Sequence, residues 1–184
     1  TLSPCAYLAG LLHPLVIKEL GFSEYGYQWM PAKSGMFVPF EDGSSIQLWE
    51  DENLCREEIS KFSPNDVIGI EAMYRPLKRI REALRSSGNS DVWIGRPPTR
   101  EQIEDRLNGD KEAIELLFEW SMIEYLERYL EDDRLRTALM GQGVIGTNAS
   151  PYEPGTASIH VFHSMGNMDG MPGMWGYVQG GMGM

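Results

Sequence analysis

Residues 155–184 read GTASIHVFHSMGNMDGMPGMWGYVQGGMGM, and the reading of this stretch decides the fold. GTASIHVFHSMG follows the turn SPYEPG and is rich in β-branched and aromatic residues, which predicts a strand. From His163 onward the stretch holds seven glycines, and Met165, Met168, Met171 and Met174 stand three residues apart. Thioethers are soft ligands suited to Cu(I), yet methionine also serves as adaptable apolar packing. The residues between these methionines include Pro172 and glycines rather than the polar filler of an exposed metal tail. Packing is therefore the leading reading and copper the alternative.

Working outward, TLSPCAYLAGLLHPLVIKELG reads as one or two short helices, capped at Ser3–Pro4, split at Pro14 and stopped at Gly21. YGYQWM, MFVPF and SSIQLWE then read as strands, with EDGSS as a hairpin turn. Helix returns in DENLCREEISKF and in SPNDVIGIEAMYRPLKRIREALRSSG. The second of these has Ser63 as cap and Pro64 in its first turn, with Val67, Ile70, Tyr74, Leu77, Ile80 and Leu84 as one apolar stripe. Pro76 predicts a kink in that helix. Thr99 and Gln102 form a capping box, and residues 110–143 give the longest helical stretch, with a break near 131–133. The fold class is α+β: a helix-rich single domain over 1–184, with a helical part at 53–140 and a small mixed or antiparallel sheet drawn from 25–49 and 156–180.

A net charge of −11 argues against a nucleic-acid surface, since phosphate contacts need a positive field. Cys5 and Cys55 are too few and too far apart for a disulfide framework, which makes a reducing compartment and cytoplasmic location the default. The longest apolar run is broken by Gly10, His13 and Pro14 and is too short to span a bilayer. The chain opens on Thr1 rather than Met, which reads as the interior of a longer protein.

No constellation of side chains announces a reaction, so the catalytic residues stay unknown. There is no GxSxG, no P-loop and no GxGxxG opening a βαβ unit, and GQGVIG at 141–146 follows a helix. On a strand, His160 and His163 would face opposite ways and could not readily share an ion, so no metal site is expected. His13, before a proline on an apolar stretch, reads as structural. The cations Arg75, Lys78, Arg79, Arg81 and Arg85 read first as a solvated helix face and second as an anion or headgroup dock.

The residues LEDDRLRTALMGQGVIGTNASPYEPGTASIHVFHSMGNMDGMPGMWGYVQGGMG carry a resemblance. They are similar to the middle of phytoene-dehydrogenase-like, carotenoid-isomerase-like FAD oxidoreductases, nearest the pyridine nucleotide-disulphide oxidoreductase domain-containing branch. AYLAGLLHP, the aromatic strands and FSPNDV match more loosely. The resemblance implies an internal substrate-domain fragment without the Rossmann FAD domain, whose complete flavin site lies in the full-length parent. It implies an enzyme that oxidises, desaturates or isomerises a hydrophobic, polyene or isoprenoid-like substrate against FAD. Trp175, Tyr177, Met174 and Met182 would line the substrate side. Gly180, Gly181 and Gly183 would let backbone approach the cofactor at a strand-to-helix turn. The implied partners are the apolar substrate and the remainder of the flavoprotein. Peripheral membrane contact is compatible with such a substrate, and self-association is expected of an isolated fragment with exposed apolar faces. The alternative is a non-enzymatic module that binds a hydrophobic ligand or a partner protein.

Overall fold

The computed structural model describes residues 8–32, 34–84, 96–168 and 171–181. The expected helix start at Ser3–Pro4, the cation Arg85 and the expected site residues Met182 and Gly183 lie outside the described residues.

The spine is α3 (Pro64–Leu84), whose start is set by Ser63: its hydroxyl accepts from the Asp66 amide at 3.2 Å. Pro76 lies inside this helix, buried, and the helix continues through it. Met73, Leu77, Ile80 and Leu84 form the buried stripe at helical spacing. Met73 takes the place expected of Tyr74, which is one position round the helix and 44% exposed. Against this stripe pack α4 (Arg100–Leu107), which opens on the expected Thr99–Gln102 capping box, then α5 (Lys111–Phe118) and α6 (Met122–Tyr129). At the centre, Tyr125 is fully buried and donates its hydroxyl to the Met73 carbonyl at 2.6 Å.

The long helical stretch is broken twice. Ser121 and Glu124 form a second capping box that starts α6 afresh, a break the sequence reading did not place. The break near 131–133 is present: Leu130 is extended and Asp132 caps α7 (Asp133–Met140). Asp66, fully buried, holds that break by accepting from the amides of Glu131 at 2.8 Å and Asp132 at 2.9 Å.

A second small core joins α2 (Glu52–Ser60) and α7 to a hairpin through Ile46, Ile59, Leu135 and Ala138. The hairpin is β2 (Ser34–Pro39) paired antiparallel with β3 (Ser45–Trp49), and its turn is the expected one, with Asp42 accepting from the Ser44 amide at 2.9 Å.

The expected strand after SPYEPG is instead α8 (Ala157–His163). Ala157, His160 and Val161 are its buried residues, at i, i+3 and i+4, and they face α5 and α6. That packing overrides the β preference of Ile159, Val161 and Phe162. Among the described residues, sheet in the last quarter is confined to β4 (Asn167–Met168), β5 (Met171–Pro172) and β6 (Gly176–Val178). β4 pairs with β5, and β6 pairs with β1 (Trp29–Pro31), so all strand pairing among the described residues is antiparallel. The molecule is thus helix-rich α+β, with no Rossmann arrangement among the described residues. No described helix is long and apolar enough to cross a membrane.

Among the described residues, the first helix is α1 (Pro14–Glu19). His13 caps it by accepting from the Leu15 amide at 3.0 Å, a structural role as expected. Ala9 is not helical: it exchanges two backbone hydrogen bonds with Gly176, at 2.7 and 2.9 Å.

Candidate functional site

β6 is the element around which the site forms. On one side it bonds to Ala9, and on the other to β1 and its flanks, where Ala32 donates to the Trp175 carbonyl at 3.1 Å and Gln179 to the Gln28 carbonyl at 2.8 Å. Two glycines allow this crowding. A Cβ on Gly176 would lie 2.4 Å from the Met30 carbonyl oxygen, and one on Gly166 would lie 2.4 Å from that of Gly10. No side chain fits in either gap.

Trp175, half-buried, donates its indole N–H to the carbonyl of His163 at the end of α8, at 3.1 Å. Its ring meets the His163 ring edge-on at 6.0 Å, and His163 Nδ1 lies 2.9 Å from the Gln142 carbonyl. Two largely apolar cavities open beside β6, with Val178 bordering both and Trp175 the first. One, of about 240 Å³, is bounded by Ala9, Gly10, Leu12, Tyr27, Trp175 and Val178. The other, of about 370 Å³, is bounded by Leu20, Phe22, Tyr25, Gln179 and Gly181 together with Leu12, Tyr27 and Val178. Phe22 opens the 3₁₀ turn at Phe22–Tyr25 and meets Tyr27, just past its end, edge-on at 5.6 Å. None of the described lining residues carries a formal charge.

Among the residues expected at the site, Trp175 borders the narrower cavity and Gly181 the wider one. Gly180 and Gly181 have φ of 82° and 92° and form a turn closed by the Gly181 amide on the Val178 carbonyl at 2.9 Å. Tyr177 pairs with Met30 across the sheet, and both side chains are exposed. Met174 is half-buried and is not among the residues that bound either cavity. Leu12, Tyr27 and Gly166 do not stand out in the sequence, and Gly10 does so only as a break in an apolar run; they reach the site through contacts between segments more than a hundred residues apart, and local patterning carries no signal for these.

The remaining constellations resolve as parts of the framework. His160 is 3% exposed, set between the rings of Tyr125 at 5.7 Å and Tyr74 at 6.2 Å. Burial, helped by the nearby His163, pushes its pKa down to about 4, so it is neutral near pH 7. Of the basic cluster, Arg79 binds Asp110 and Glu112 at 2.5 Å each and ties α3 to the start of α5, while Arg75 and Lys78 are exposed. The Arg79 hydrogen bond holds the Asp110 carboxyl below its usual range. Met165 packs into the helical core and Met168 is buried. Burial raises the Cys55 thiol. No cluster of three His, Cys, Asp or Glu able to hold a metal occurs among the described residues.

The described residues do not by themselves fit a flavin dinucleotide. They contain no parallel strand leading into a helix N-terminus, and the described lining residues of the cavities offer no cation to a pyrophosphate.

No protein-family model matches the chain. It is similar to pyridine nucleotide-disulfide oxidoreductase domain-containing protein 2 of Rattus norvegicus, 26% identical over 98% of this chain and 35% of that protein. The Mus musculus protein of the same name is 25% identical over the same shares. The chain thus spans about a third of the length of these relatives. The likeness supports an oxidoreductase-related domain.

Proposed function

We propose that this chain is the substrate-binding part of an FAD-dependent oxidoreductase resembling phytoene desaturases. It holds a hydrophobic, polyene or isoprenoid-like molecule in the groove beside Trp175. The observation that carries the reading is the uncharged, apolar lining of that groove, in a chain similar throughout to an oxidoreductase domain protein. An extended apolar substrate is held by contact area rather than by hydrogen bonds, and aromatic walls supply that area.

The flavin belongs to the remainder of the protein, where it would supply the electron chemistry. The contribution of this chain is to bind, orient and keep water from the reacting carbons. This division explains why the described lining residues of the groove offer no acid–base pair. Exposed Leu20 and Tyr25, which border the wider cavity, suit contact with that remainder or with a membrane surface. In the isolated chain the same residues favour self-association.

The test is the absorbance spectrum and turnover of the purified full-length protein. A bound flavin, reduced or bleached on adding an uncharged polyene, is the expected result. A colourless, flavin-free protein overturns the enzymatic reading. If that protein still bound the polyene, the alternative of a non-enzymatic hydrophobic-ligand module would hold, since it uses the same groove.

A further inference from the structure

The two cavities share one wall: Leu12, Tyr27 and Val178 border both, and Tyr27 is the largest of the three. Tyr27 is braced on a short loop. Its ring lies edge-on to Phe22 at 5.6 Å, and its amide donates to the Phe22 carbonyl at 3.0 Å. On one side is the compartment of about 240 Å³ against Trp175, and on the other the compartment of about 370 Å³ bordered by Gln179 and Tyr25. We infer that Tyr27 is the specificity-determining residue of this groove and sets the length of the apolar ligand it accepts.

The inference rests on the groove being the ligand site. A short chain fills the wider compartment and leaves Tyr27 in place. A longer one reaches Trp175 only by displacing the Tyr27 ring from Phe22, which sacrifices packing already made. The ligand itself is uncharged. Although 23% of the chain is charged, no described lining residue is, and a carboxylate or phosphate placed there would lose its hydration with no described cation to pair with.

The test is a series of straight-chain alcohols of increasing length, titrated against the full-length protein and read by displacement of an uncharged apolar fluorophore. In the wild type, affinity rises by about fourfold per methylene until the wider compartment is filled, and then levels. Tyr27→Ala shifts the levelling point to longer chains, and Tyr27→Phe leaves it where it was. Leu12→Ala, which thins the same wall, shifts it in the same direction and decides the matter if Tyr27→Ala does not fold. A levelling point unmoved by the folded variants overturns the inference and leaves the groove as the ligand site. A wild-type protein that binds none of the alcohols overturns the groove reading and the inference together.

Discussion

Trp175 and His163 are joined by a hydrogen bond from the indole N–H to the backbone carbonyl, at 3.1 Å. It links the wall of the apolar groove to the last turn of α8, whose other face is buried against the helical core. The groove is therefore tied to the helical core, while its other walls come from β6, the 3₁₀ turn at Phe22–Tyr25 and the segment before α1. Trp175→Phe keeps an aromatic ring in place but loses this bond and part of the indole packing, at a cost of about 1 kcal/mol or a little more. Trp175→Ala also removes the wall, costing about 2 kcal/mol or more, because the residue is half-buried. Urea denaturation of both variants checks the order.

Asp66 satisfies two amides at the break between α6 and α7. Asp66→Ala leaves both without their acceptor and is expected to destabilise by about 3 kcal/mol. Asp66→Asn, with one acceptor oxygen, is expected to lose about half as much. Amide hydrogen exchange at Glu131 and Asp132 should quicken in the same order.

His160 gives the fold a pH dependence with a definite sign. Its pKa is pushed from 6.5 down to about 4 in the folded chain, so between these values the unfolded chain binds a proton that the folded one does not. Stability therefore falls as pH drops from about 6.5 to about 4, by up to about 3 kcal/mol, and this contribution is flat outside that window. Asp110, held low by Arg79, acts in a different window: its stabilisation is lost only as pH falls below the ordinary carboxylate range and through its lowered pKa. Denaturation midpoints of His160→Leu against wild type across this range should show the first slope flatten.

Close approach at Gly176 and open space at Gly43 predict different costs for the same substitution. A methyl on Gly176 meets the Met30 carbonyl at 2.4 Å, so Gly176→Ala must push β1 away, costing about 2 kcal/mol or more. Gly43 has φ of 82° and nothing within 4 Å, so Gly43→Ala costs only its backbone strain, about 1 kcal/mol. Thermal unfolding of the pair separates the two causes.

The helical frame was legible because its signals are local: the Ser63 cap, the Thr99–Gln102 box and the Asp42 turn all stand where the residues place them. The Ser121–Glu124 box was equally local, but it was hidden inside a run whose apolar period continues across it. α8 was read as a strand because a seven-residue helix shows barely two turns of period, while Ile159, Val161 and Phe162 all favour strands. The groove was the least legible part. Trp175 stood out by its surroundings, but Leu12 and Tyr27 join it only through the pairing of β6 with Ala9 on one side and β1 on the other. Such pairing depends on register between distant segments, which composition does not reveal.

The central claim, that the groove beside Trp175 holds an uncharged apolar molecule, is tested most directly by titrating an uncharged polyene alcohol into the full-length protein. Quenching of Trp175 fluorescence is the signal, assigned by its loss in Trp175→Phe. Saturable one-to-one binding is predicted, weakened by about tenfold or more in Val178→Asp, which places an unpaired charge in the wall shared by both cavities. Binding that does not saturate, or that Val178→Asp leaves unchanged, would contradict it.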